Sequence, residues 1–107
     1  ITPYVNKDQI VSGTLAYALG CGRAIVSTKY LYAEEVLADG RGMLVDFCDP
    51  DAMARAIIEV LANPERRVQI EDAAYRYGRR AAWFNVAVDY LSLFRKVVEE
   101  HTERAQA

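Results

Sequence analysis

Short, continuously apolar runs alternate with stretches of helical periodicity, and this alternation narrows the possible folds more than any other feature. Ala24-Ile25-Val26-Ser27 and Met43-Leu44-Val45 are bounded by glycine and polar residues, as strands buried on both faces should be. Thr2-Pro3-Tyr4-Val5 is a third short extended stretch, followed by a turn at Asn6-Lys7-Asp8. Between and after these runs the spacing turns helical. Ile10, Val11, Thr14, Leu15, Ala18 and Leu19 recur at three- and four-residue intervals, which predicts a helix from Gln9 to the Gly20-Cys21-Gly22 stop. Ala33 to Leu37 reads as a short helix closed by Asp39-Gly40-Arg41-Gly42.

Two later helices announce their own starts. Asp49-Pro50-Asp51 and Asn63-Pro64-Glu65 each offer a capping side chain followed by proline at the first helical position. The second runs to about Gly78, and a last helix from about Trp83 to Glu100 carries Ala87, Tyr90, Leu91, Phe94, Val97 and Val98 on one stripe. His101 to Ala107 reads as a polar tail with no reason to be ordered. Strand–helix alternation with buried strands predicts an α/β fold, a Rossmann-like three-layer parallel sheet. Three strands are few for such a sheet, so the expected organisation is a partial domain over 1–82, a closing helix over 83–100, and the tail over 101–107.

Composition excludes several function classes. Apolar residues make up 52% of the chain and charged ones 26%, which suits a folded core rather than disorder. The net charge of −2 is spread without a basic stripe, so no nucleic-acid partner is expected. No apolar run reaches the roughly 18 residues of a membrane span. A single histidine, His101 in the tail, gives no metal site. Cys21 and Cys48 lie in apolar surroundings and read as reduced, buried thiols of a cytoplasmic protein. The start at Ile1, inside an apolar segment, suggests a piece of a longer protein.

In open parallel sheets, ligands sit beyond the carboxyl ends of the strands, where helices begin. The first such junction holds Ser12-Gly13-Thr14 at a helix start. Free amides and the positive end of the helix dipole favour a phosphate there, and Gly13 permits close approach. The same three residues also suit plain helix packing, since no GxGxxG or P-loop pattern accompanies them.

Leu15-Ala16-Tyr17-Ala18-Leu19-Gly20-Cys21-Gly22-Arg23-Ala24-Ile25-Val26-Ser27 resembles the helix–turn–strand of family 4 GT-B glycosyltransferases, the group 1 glycosyl transferases. Glu35-Val36-Leu37-Ala38-Asp39-Gly40-Arg41-Gly42-Met43-Leu44-Val45 is similar to a later segment of that family, one residue shorter. Asp49 to Leu61, Asn63-Pro64-Glu65-Arg66-Arg67 and Trp83 extend the resemblance over about residues 2 to 98. It implies the C-terminal half of a donor-binding domain, one side of a cleft in which sugar passes from a nucleotide to an acceptor without a bound metal or other cofactor. The implied partners are a nucleotide-sugar donor, an acceptor the sequence does not name, and the remainder of the parent protein. Alone, such a piece is expected to be inactive and to self-associate through surfaces the missing half covers.

The departures lie where the family carries two glutamates. Gln9 stands at the first position, near the donor sugar, and Tyr17 at the second, which binds the ribose. Gln9 retains hydrogen bonding to a sugar hydroxyl but carries no charge. Tyr17 is either a ribose or base contact or a core residue. Glu35 aligns with the family's later glutamate and is either a donor contact or a first-turn acid favouring the helix dipole. Lys29 meets a phosphate or is solvated. The arginine pairs at 66–67 and 79–80 read as solvated faces, and Tyr75, Tyr77, Trp83 and Phe84 as core or interdomain packing. Loss of both glutamates keeps a second reading open, a non-catalytic binding or scaffold domain that retains the fold. A regulatory α/β domain unrelated to sugars is the third.

Overall fold

A computed structural model describes residues 1–106. Its elements are α1 (Gly13–Gly20), β1 (Val26–Thr28), α2 (Leu31–Val36), β2 (Met43–Val45), α3 (Pro50–Ala62), α4 (Pro64–Gly78), a 3₁₀ turn (Arg79–Ala81) and α5 (Trp83–Gln106). β1 and β2 pair in parallel, with Val26 opposite Met43 and Thr28 opposite Val45. The Thr2 segment joins this two-stranded sheet by one parallel bridge, Thr2 to Ser27. The fold is therefore mixed α/β around a small parallel sheet, with the third predicted strand reduced to that bridge.

Hydroxyls hold the first segment where a longer ladder would otherwise do so. The Thr2 amide donates to the Val26 carbonyl at 3.0 Å. Thr2 Oγ1 donates to Ser27 Oγ at 2.7 Å, Ser27 Oγ donates back to the Thr2 carbonyl at 3.0 Å, and Thr28 Oγ1 donates to the Tyr4 carbonyl. Thr2, Ser27 and Thr28 are all buried, so each of these groups needs its partner. Pro3 lacks the donor a second bridge would use.

The sheet separates two apolar clusters. Leu15 and Leu19 of α1, Ile25, Tyr30, Ala33, Val36 and Leu37 gather in one, and Val26, Val45, Ala56 and Val60 in the other. α4 serves both, placing Ala74 in the first and Ile70 in the second. Its close contact with α1 depends on Gly78, where a Cβ would sit 2.3 Å from the Leu19 carbonyl oxygen. Gly22, at φ +62°, turns the chain from α1 into β1 directly under the Tyr75 ring.

Local sequence explains the helix starts. Asp49 Oδ1 accepts from the Ala52 amide at 2.8 Å, and Asn63 Oδ1 from the Arg66 amide at 3.0 Å, with proline following each cap. α1 begins at Gly13 rather than Gln9, because Ser12 caps it and the residues before it stay extended. Ile10 and Val11, counted on the apolar face, are exposed. The thiols differ from expectation too: Cys21 and Cys48 are both exposed. Cys21 ends α1 in a turn, and Cys48 occupies a loop at φ +57°. α5 continues through His101 to Gln106, so the polar segment is helical; Ala107 lies outside the described residues. Glu103, Arg104, Ala105 and Gln106 are good helix formers, so that last stretch propagates α5 beyond the Lys96–Glu100 pair.

α5 projects from the body. The radius of gyration is 18.5 Å and the longest extent 65 Å, against about 13 Å for the radius of a compact chain of this length. Its apolar stripe (Tyr90, Leu91, Phe94, Val97 and Val98) is exposed along the helix, and Trp83 at its start is 88% exposed. Trp83 and Phe84 therefore do not belong to the core of this chain.

Gly78→Ala is expected to lower stability by about 2 kcal/mol or more, since a methyl there meets backbone that cannot rotate away. Gly20→Ala, where nothing lies within 4 Å, is expected to be neutral or mildly stabilising. Urea unfolding of the two variants checks the contrast.

Candidate functional site

Parallel pairing fixes which edge carries the ligand-facing loops. The loop of residues 3–12, the Lys29-Tyr30 link and the Asp46–Asp49 loop all leave the carboxyl ends of the strands. The first loop is tied down at both ends. Asn6 turns it through the Gln9 amide, and the Lys7 carbonyl accepts from the Leu31 amide at 3.0 Å, anchoring it to the start of α2.

The α1 start is built from Ser12. Its Oγ accepts from the Leu15 amide at 3.1 Å and shares a 3.3 Å hydrogen bond with the Tyr4 hydroxyl. The side chain is only 2% exposed, so its hydroxyl forms the cap rather than an open donor for a ligand. Gly13 and Thr14 are exposed. Their amides precede the first helical hydrogen bond, from the Ala16 amide to the Ser12 carbonyl. Nothing lies within 4 Å of a Cβ built at Gly13, so this turn is open to approach. Gln9 Nε2 is held by the Val11 carbonyl at 2.8 Å, which leaves its amide oxygen as the group available for a hydroxyl. Tyr17 is 80% exposed, which removes the core alternative for its ring.

Other expected contacts fall elsewhere. Lys29 pairs with Asp46 at 2.8 Å, and this hydrogen bond and charge raise its pKa, so the ammonium is engaged across the two strand ends. Beside that pair a depression of about 250 Å³ lies at the carboxyl edge, lined by Pro3, Val5, Thr28, Asp46, Cys48 and Met53, among others. Glu35 is not among the α1-start residues. It lies on α2 in a separate groove of about 360 Å³ with Ala16 and Leu19 of α1, Tyr32, Val36, Tyr77 and Arg80. In the sequence Tyr77 reads as packing and Arg80 as part of a solvated face, and Tyr32 has no assigned role; the three-residue spacing of Tyr32 and Glu35, which puts both on one face of α2, was the available signal.

Arg41, outside the groove lining, braces the adjoining end of α2. Its guanidinium donates to the Val36 carbonyl at 2.8 Å, the Glu35 carbonyl at 2.9 Å and the Asp39 carboxylate at 2.9 Å, closing the C-terminal end of α2. The same group lies 4.3 Å from the Tyr77 ring centre. Arg79 and Arg80 also lie over tyrosine rings, at 5.4 Å from Tyr75 and 6.0 Å from Tyr77, so this pair is not simply solvated. Among the described residues there is no cluster of metal-ligating side chains, and no helix is long and apolar enough to cross a membrane.

The carboxyl edge of a parallel sheet, where helices begin, is where open α/β folds commonly take ligands, and the fold alone goes no further. Comparison with known proteins is more specific. The family model for glycosyl transferases group 1 matches residues 14–77, and the chain belongs to that family. An uncharacterized glycosyltransferase of Methanocaldococcus jannaschii is 31% identical over 90 residues, 82% of this chain and 23% of the relative. D-inositol 3-phosphate glycosyltransferases of Corynebacterium urealyticum and Salinispora tropica are 30% identical over 81 residues and 31% identical over 88. These alignments cover 75% and 81% of this chain but only 19% and 18% of the two relatives. The chain thus spans about a fifth of the length of the curated relatives it matches. Tyr17 and Glu35 lie inside the family match, whereas Gln9, Ser12 and Gly13 precede it.

Ser12→Ala is expected to cost about 1 kcal/mol through loss of the cap. Thr14→Ala, at an exposed side chain, should stay within about 0.5 kcal/mol of the parent. Chemical denaturation of both variants provides the comparison.

Proposed function

We propose that this chain is the nucleotide-sugar side of a GT-B glycosyltransferase and acts, with the rest of its parent protein, in transferring a sugar from a nucleotide donor to an acceptor. The observation that carries the reading is the open start of α1, where Gly13 and Thr14 are exposed ahead of the first helical hydrogen bond. In this reading the diphosphate meets the Gly13 and Thr14 amides and the Thr14 hydroxyl, with the helix dipole behind them. Ser12 holds that turn from below. The Gln9 amide oxygen accepts from a donor-sugar hydroxyl, and the exposed phenol of Tyr17 meets the ribose.

Transition-state charge at the sugar is a different matter. Gln9 is neutral and tied to the Val11 carbonyl. Any carboxylate balancing an oxocarbenium-like centre therefore comes from elsewhere in the parent protein. No metal is required, because helix dipole and amides supply the positive field at the phosphates. The complete donor domain, in this proposal, adds strands beside the Thr2 segment and completes a three-layer sheet. Remaining domains cover the apolar stripe of α5, and the chain by itself self-associates through it.

Calorimetric titration with UDP, GDP and their sugar conjugates tests the donor site. Gly13→Val should weaken binding about tenfold, because a branched side chain stands where one or two charge-assisted hydrogen bonds form. Tyr17→Phe should weaken it a few-fold, the equivalent of about 1 kcal/mol for one hydroxyl contact. Circular dichroism confirms that both variants fold. Absence of binding by the parent chain, or unchanged affinity in both variants, would favour the α1 start as plain helix packing.

A further inference from the structure

Among the described residues, α5 carries an apolar face that nothing covers, and every residue from Ala87 to Gln106 is exposed. The accessible surface of the chain is 7685 Å², against about 6,000 Å² for a compact monomer of its 12.0 kDa mass. The excess, about 1,700 Å², exceeds the roughly 800 Å² that each partner gives up in a stable interface. Two copies of the chain therefore have enough surface to hide. The polar row of α5 speaks against a lipid cover. Asn85, Asp89, Ser92, Lys96, Glu99 and Glu103 recur at three- and four-residue spacing, so acids outnumber bases there. A helix lying on an anionic membrane carries lysine and arginine on that face. Self-association through the apolar face, stated above for the chain by itself, has a specific geometry.

The stripe is complementary to itself when two helices run in opposite directions. With Tyr90 of one helix set against Leu91 of the other, Ala87 falls opposite Phe94, Phe84 opposite Val97 and Trp83 opposite Val98. Trp83, Phe84 and Phe94 each then meet a small or β-branched side chain, the condition for facing layers to interdigitate without voids or clashes. Parallel pairing would set Phe94 on Phe94 and Ala87 on Ala87, a crowded layer beside a hollow one. Overlap from Trp83 to Val98 is about 24 Å long. Within it Asp89 and Lys96 lie on the polar row and Arg95 at the margin of the stripe, so no charge is enclosed at the seam. Charge also favours this direction. Beyond Val98, the acids Glu99, Glu100 and Glu103 run on past Trp83 of the other copy, toward the turn that carries Arg79 and Arg80, both exposed. A parallel pair would bring the same three acids of both copies together. We propose that two copies of this chain pair antiparallel through α5, with Ala87 of each against Phe94 of the other.

Sedimentation equilibrium of the 107-residue chain should give twice the monomer mass at micromolar concentration. Phe94→Ala and Ala87→Phe, both at exposed positions, should each weaken pairing at least about tenfold. The two together should restore it to within about threefold of the parent, and circular dichroism checks that each variant folds. In a Cys21→Ser, Cys48→Ser background, which removes the free thiols, Tyr90→Cys lies beside the twofold axis and should give a disulfide-linked dimer on oxidation. Trp83→Cys, about 20 Å along the helix from its own copy, should not. A chain that stays monomeric at these concentrations overturns the proposal, including one that instead partitions onto phosphatidylcholine–phosphatidylglycerol vesicles. So does cross-linking of Trp83→Cys as readily as Tyr90→Cys, or a double variant that stays apart as the single ones do. UDP titrated into the same samples reports on the α1 start alone, so failure of the nucleotide site and failure of the pairing are read separately.

Discussion

The contact between Gly78 and the Leu19 carbonyl governs how the rest of the chain is placed. Without a side chain at that point, α4 lies directly against the C-terminal half of α1. From there it delivers Ala74 to one apolar cluster and Ile70 to the other. A sheet of two strands and a bridge has little capacity to organise helices by itself. Here a helix performs that task, linking both clusters through backbone proximity. The same contact brings Tyr77, Arg80 and Ala81 beside α2, which creates the α1–α2 groove.

Elements with their own local chemistry were legible in the sequence. β2 occupies the residues expected for it, and α3 and α4 begin at their Asp-Pro and Asn-Pro signals, because capping and proline geometry are decided within a few residues. The start of α1 was misplaced because Ile10 and Val11 fit an apolar period, while the Ser12 cap is what ends the extended segment. Cys21 and Cys48 each lie within a few residues of an apolar run yet occupy turns, so proximity along the chain did not translate into burial. The polar end of α5 looked unsuited to order because it buries nothing; continuation of an existing helix requires no new nucleus.

The site was legible to a different degree. Gly13, Thr14 and Tyr17 are open in the folded chain, as ligand contacts must be, but openness does not identify what they meet. Ser12 illustrates the limit of reading residue types. A serine at a helix start has the chemistry both of a phosphate donor and of a cap, and its burial beside Tyr4 assigns it the second. Glu35 illustrates another. Its alignment with a family glutamate placed it with the donor residues, whereas its position on α2 gathers it with Tyr32, Tyr77 and Arg80, residues that carry no motif. Membership in the glycosyl transferases group 1 family rests on a match from α1 to α4, the part of the chain where spacing and fold agree.

Between α4 and α5 the helical path is broken by a single extended residue, Ala82, at φ −66° and ψ 135°. Beyond it the 24 residues of α5 form a rod about 36 Å long. Such a rod converts small torsions into large displacements. A change of about 10° at Ala82 would swing the Gln106 end by about 6 Å, on the same helical rise. Whatever fastens to the distal half of α5 thus meets the rest of the chain through one backbone joint, next to the helix that packs against the C-terminal end of α1.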